Sequence, residues 1–493
     1  MTLGSKKNFK TLILYGLTGT FPSIINILIL PFIEGPTKLN AVDFSHIAII
    51  ESIVVFGWLI ASFSGGNVIS RFYYDFVDSK PEFNKFISTF FISIILRGLF
   101  LFLLFLFLSD LPGRIFIQPE LQSFSVYGPI AIIIGINRSL NTALTALLRN
   151  QKKVFFYTIF NISTGLLRGI GQVVGLFFIE MSFKGYLYGI FISSLITGVF
   201  ILVYILYSYG VNYHRQIFKQ INQFAIPIFY YELILWIMTY ADRYLLEKYP
   251  VNLGLYETVT RFALGIRMII HGFNNAVQPE IYGYFKSGIK QNEKSIRQVA
   301  NIFILVSQVL IISSIIPVML YLYYFCDSNI QEAYSFVPII ITLLILKSQF
   351  MVFTAPVLYF KDTKMLMYTN IIGAILAISI NILLIPHLKI YAPLLAIGIS
   401  DFFIILCIKH IETKKYNINW NQKKIFYSPI IIVIIAGLLE LIKVKLNINP
   451  FIISFILITI FIMSIGSLYR GEITTITKKI LLKEKDFTSN QKY

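Results

Sequence analysis

Apolar stretches of bilayer length recur along almost the whole chain, and they leave few folds open to it. A helix needs about 20 apolar residues to cross the hydrocarbon core. Such windows lie at residues 11–33, 45–66, 85–108, 124–148, 154–179 and 185–208. After the polar segment from Val211 to Asn222 they resume at 223–246, 252–276, 298–324, 335–359, 365–386, 390–409, 426–442 and 450–469. Backbone polar groups in lipid must be satisfied within the protein, and runs this long do so as helices. The expected fold is an all-α polytopic membrane protein with about 14 transmembrane helices.

Composition agrees, because 56% hydrophobic and 13% charged residues with a mean hydropathy of +0.74 exclude an ordinary soluble chain. The net charge of +18 is spread in short clusters between apolar runs, which is membrane topology and not a nucleic-acid face. Cys326 and Cys407 are the only cysteines, with no Cys-x-x-Cys, so neither a disulfide framework nor a zinc site is indicated. No phosphate loop or catalytic constellation is present, and no cofactor is expected. Lys6, Lys7 and Lys10 precede a first run that is broken by Pro22 and continues to Ile33 without a cleavage site, so that span reads as uncleaved.

Alternate loops carry the basic residues. Arg71, Lys80 and Lys85, then Arg149, Lys152 and Lys153, then the cluster from Lys409 to Lys424 fall on one side. The other side holds Lys38, Arg114, Lys184 and Lys248 among few others, so both termini are expected in the cytoplasm. Six spans precede the polar segment and eight follow it. That division suggests an N-lobe at 1–210, a linker at 211–222, a C-lobe at 223–412, and two appended helices with a basic tail at 413–493. Even numbers of spans make the lobes a parallel pseudo-repeat, in which substrate sites lie near the midplane between the halves.

Charges inside the spans are the candidate chemistry, since each costs roughly 2.5–3.5 kcal/mol to place there. Arg97, Arg138 and Arg168 fall near the centres of spans 3, 4 and 5. Arg138, Asn141, Thr142, Thr145 and Arg149 share one helical face, which reads either as an interhelical seam or as a cavity lining; two arginines in the stripe favour the cavity. Gly165, Gly169, Gly171 and Gly175 around Arg168 form two small-xxx-small pairs for close helix approach. In the second half, Glu257 and Arg261 are spaced for an intrahelical ion pair, whereas Arg267 and Lys347 have no local partner and are expected to contact an anionic ligand. Asp242, Glu257 and Asp401 either pair with these cations or bind a coupling Na⁺ or H⁺. Asp401 has no cation within one helical turn.

Local sequences add a resemblance. Gly65-Gly66-Asn67-Val68-Ile69-Ser70-Arg71-Phe72-Tyr73-Tyr74-Asp75 resembles a segment of bacterial polysaccharide-biosynthesis flippases of the O-antigen or capsule repeat-unit type. Pro227 with Asp242-Arg243, Gly254-Leu255-Tyr256, the stretch Gly272 to Pro279, and Asn381 to Pro386 are similar to later spans of that family. The resemblance implies a two-lobed transporter of the multidrug, oligosaccharidyl-lipid and polysaccharide exporter superfamily in the bacterial inner membrane. Its substrate would be an undecaprenyl-pyrophosphate-linked oligosaccharide, with membrane lipid, a polysaccharide polymerase and a chain-length regulator as partners. A multidrug cation antiporter or a peptidoglycan-precursor flippase are the alternatives. A polymerase enzyme is disfavoured by the short outer connections at 34–44 and 109–123.

Overall fold

A capping box begins the first long helix. The Asn40 side chain accepts from the amides of Val42 and Asp43, and the Asp43 carboxylate accepts from the Asn40 amide. The structure, a computed structural model, describes residues 18, 21, 22, 24–326, 329–360 and 362–471. Lys6, Lys7, Lys10, the start of the first span and the basic tail lie outside the described residues. From Ala41 the principal helices are α1 (Ala41–Ser62), α2 (Gly65–Phe76), α3 (Lys80–Leu108), α4 (Phe124–Asn150), α5 (Val154–Val174), α6 (Phe183–Tyr209), α7 (Arg215–Leu246) and α8 (Pro250–Lys286). They continue as α9 (Glu293–Ser313), α10 (Ile315–Phe325), α11 (Val337–Tyr359), α12 (Thr363–Leu388), α13 (Tyr391–Tyr416), α14 (Ser428–Leu446) and α15 (Pro450–Leu468).

The fold is the expected all-α membrane type. Among the described residues, 12 helices are long and apolar enough to cross a membrane. The two other expected spans are the first, which is only partly described, and α8, a helix of 37 residues that carries Glu257, Arg261, Arg267 and Glu280.

Two compact units divide the chain: Met1–Arg261 with Tyr324–Ala333 and Ala377–Pro393, and Phe262–Tyr323 with Tyr334–Leu376 and Leu394–Tyr493. The segment 211–222 lies inside the first unit. It is tied down there, because the amides of Asn212 and His214 donate to the Ser88 and Thr89 hydroxyls at 2.7 and 3.0 Å.

Small residues set the helix spacing in the first unit. A Cβ at Gly135 of α4 would sit 2.6 Å from the Val54 carbonyl oxygen of α1. At Gly165 and Gly169 it would meet Pro22, Ile25 and Ile29, and at Gly171 and Gly175 it would strike the carbonyls of Gly189 and Gly185 on α6. Both glycine pairs of α5 therefore pack as the sequence indicated, on two different neighbours. The glycines of α8 differ in their surroundings. Gly254 abuts the Ala41 carbonyl, but a Cβ at Gly272 would meet nothing within 4 Å.

The second unit is built around α11, whose residues are almost all buried. A π-helical turn at Lys423–Tyr427 presents carbonyls that Gln349 of α11 engages, at 2.9 Å to Ile425 and 3.0 Å to Phe426. Trp420 sits edge-on to Phe353 beside them, with ring centroids 6.2 Å apart.

Candidate substrate site

The window expected as one span at 45–66 is broken. Phe63 and Ser64 both adopt the left-handed backbone (φ 48° and 61°), and α2 starts at Gly65. Ending α1 at Ser62 leaves carbonyls without helical partners. Arg97 supplies one donor, with Nε 3.2 Å from the Ala61 oxygen, while its other nitrogens reach Asn222 Oδ1 at 3.2 Å and Ser93 Oγ at 3.1 Å. Its guanidinium also lies 5.0 Å from the Phe63 ring centroid. Glu232 of α7 holds the far side of the break, accepting from Ser64 Oγ at 2.9 Å and Asn67 Nδ2 at 3.3 Å. The Arg97 charge is thus met by dipoles at a helix end and a ring face.

Arg138 and Arg168 are brought together by Glu51. Arg138 Nη1 is 2.7 Å from Glu51 Oε1, and Arg168 Nη2 is 3.4 Å from Oε2. The side chains are 41% (Arg138), 28% (Arg168) and 27% (Glu51) exposed, so a charged cluster at the middle of three apolar helices keeps open surface. Trp58 borders it, its ring centroid 5.8 Å from the Arg138 guanidinium and its Nε1 donating to Thr142 Oγ1 at 3.2 Å. The Thr142 and Thr145 hydroxyls donate back to the carbonyls of Arg138 and Asn141. Asn141 itself is half-buried on the same helix face. Two arginines share one carboxylate, which leaves an excess of positive charge.

Asp242 of α7 and Glu257 of α8 form a second, buried network. Arg243 Nη1 is 3.1 Å from Asp242 Oδ1 and its Nη2 is 3.0 Å from Glu257 Oε2. Tyr256 donates to Asp242 Oδ2 at 2.6 Å, and Arg261 Nε is 3.4 Å from Glu257 Oε1, the intrahelical pair read from the spacing. Asp242 and Glu257, which the sequence offered for ion coupling, are both paired with arginine.

In the second unit Lys347 Nζ meets Asp401 Oδ1 at 2.6 Å. Two residues assigned different roles are therefore partners across α11 and α13, although the other oxygen of Asp401 is buried without a hydrogen bond among the described residues. Arg267 is half-buried on α8 and is bonded to none of the other candidates. Glu51 and Glu232 were not among the candidates offered by the sequence. Their roles rest on contacts far apart in the chain that no local spacing reveals.

Solved structures share this architecture. The lipid II flippase MurJ in an inward closed conformation superposes with a TM-score of 0.67 at 15% identity, covering 94% of this chain and 100% of that one. An inward-facing multidrug resistance MATE family transporter of the MOP superfamily gives 0.61 at 14% identity, over 82% of this chain and 96% of that one. A MOP superfamily transporter from Pyrococcus furiosus, described by the reverse polarity of its binding pocket, gives 0.56 at 14% identity, over 82% and 96%. No curated protein matches the chain. The fold is that of the MOP superfamily transporters. Residues 43–337 match the family described as polysaccharide biosynthesis protein, and the chain belongs to that family.

Proposed function

We propose that this protein is a flippase that carries an undecaprenyl-pyrophosphate-linked oligosaccharide, such as an O-antigen or capsule repeat unit, from the cytoplasmic to the outer leaflet of the bacterial inner membrane by alternating access. The observation that carries this reading is the pair Arg138 and Arg168 at mid-helix depth, sharing the single carboxylate of Glu51 and keeping exposed surface. A guanidinium pair of this kind suits a pyrophosphate, because each fork donates two parallel hydrogen bonds. Family membership supports the glycan substrate. Glu51, the carboxylate beside the pair, already accepts from both arginines and so does not offer itself to an organic cation. An inside-negative potential favours outward movement of the anionic head by about 2.3 kcal/mol per charge per 100 mV. Asp401, with one unsatisfied oxygen, is the proposed acceptor for a resetting Na⁺ or H⁺. A polymerase and a chain-length regulator would act on the exported unit.

The test is glycan export in cells carrying Arg138→Gln and Arg168→Gln. Export should fall at least tenfold while the protein accumulates normally in the membrane, and Arg138→Lys should recover part of it. Full export by both glutamine variants would return the arginines to a purely structural role.

A further inference from the structure

A trough of about 540 Å³ runs between α4, α5 and α6 of the first unit. Its walls include Leu148, Phe156, Phe160 and Phe200, with Lys153 and Tyr204 also in the lining. At about 3.6 residues per turn, Phe156, Phe160, Ser163 and Leu167 lie on the side of α5 opposite Gly165 and Gly169, the face that packs on the first span. Phe156, Ile159, Ile196 and Phe200 are exposed, so the trough opens to the surroundings of the protein, which for a spanning helix means lipid. Two hydroxyls in its lining are spent on their own helices: Thr164 donates to the Asn161 carbonyl at 3.1 Å and Thr197 to the Ser193 carbonyl at 2.8 Å.

Charge sits at one end. Lys153 immediately precedes α5, and Gln151 Nε2 donates to Tyr209 OH at 2.9 Å, which brings the last turns of α6, with Tyr204, to the same end. Arg149 and Lys152 are exposed beside it. Between Glu120 and Glu232 the sequence contains a single acid, Glu180, beyond the opposite end of α5, so this basic cluster has no nearby acidic neighbour in the sequence. From Phe156 to Leu167 the trough follows about 17 Å of helix, close to half of a hydrocarbon core of about 30 Å.

We propose that this trough holds a resident anionic glycerophospholipid, with one acyl chain along α5 and the phosphate at Lys153. An apolar channel of one-leaflet depth that ends in cations at headgroup level matches both parts of such a lipid. An undecaprenyl chain is longer than one leaflet is deep, which separates this site from the transported lipid. The assignment does not depend on the transport reading, since its readout is binding.

Purified full-length protein is titrated with phosphatidylglycerol, with phosphatidylcholine of the same acyl chains and with undecaprenyl phosphate, and bound lipid is counted by native mass spectrometry. Phosphatidylglycerol should be retained in clear preference to phosphatidylcholine. Combined Lys152→Gln and Lys153→Gln should weaken it about fivefold per lysine. Ser163→Trp, which fills the trough and leaves the charges in place, should lower retention of both glycerophospholipids. Equal retention of the two headgroups, or retention unchanged in both variants, overturns the proposal. So does preferential displacement of phosphatidylglycerol by undecaprenyl phosphate, which would make the trough part of the substrate path.

Discussion

Glu51 sets the charge balance around Arg138 and Arg168, because among the described residues it is the one carboxylate bonded to them. Removing one partner of a buried ion pair costs about 3–5 kcal/mol. Here the groups are partly exposed, so screening reduces the expected loss to about 1–2 kcal/mol. Glu51→Gln should therefore insert normally but unfold at a lower temperature in detergent. Inorganic pyrophosphate should restore part of that loss, since an anion that binds only the folded state stabilises it. An unchanged midpoint, or the same pyrophosphate response in both proteins, would remove Glu51 from its proposed place. The arginines were legible because a charge stands out inside an apolar window. Their partners were not, because Glu51 lies 87 and 117 positions away from them. Arg97 illustrates the same limit, since its acceptor at Ala61 exists only because α1 stops there.

Elements were easier to read than their interruptions. Apolar residues run up to Phe63, so a window of bilayer length ends just past a break whose local signal is Ser64-Gly65-Gly66. Ser64 holds a left-handed backbone, which costs an L-residue about 1–2 kcal/mol, and it repays part of this through the bond to Glu232. Ser64→Val should lose that bond and worsen the backbone cost, lowering stability by about 2 kcal/mol. Ser64→Gly should be close to neutral. Thermal unfolding of both variants checks this, and a stable valine variant would contradict the assigned conformation. That α5 is closely approached by other helices was legible from the glycine spacing, whereas α6 as the neighbour at Gly171 and Gly175 was not. Gly171→Val should push its methyl groups into the Gly189 carbonyl and cost about 1–3 kcal/mol or more.

At the scale of the molecule, the spans of an all-α membrane protein follow from hydropathy, and the description of 12 of them among the described residues agrees with that reading. The grouping of helices was less visible. The polar segment 211–222 looks like a free linker, yet side-chain hydroxyls of α3 bind its amides and the first unit continues through α7 to Arg261. Loop polarity alone does not reveal such hydrogen bonds, because each joins residues more than 120 positions apart. The proposed transport rests on the exposed arginine pair binding an anionic lipid-linked glycan. Its most direct test is the rate at which a fluorescent undecaprenyl-pyrophosphate oligosaccharide changes leaflet in vesicles reconstituted with the full-length protein. Wild-type protein should accelerate the exchange, and faster still under a potential that draws the anion outward, while the Arg138→Gln, Arg168→Gln double variant should match protein-free vesicles. Equal rates for wild type and double variant would rule out that role for the arginine pair.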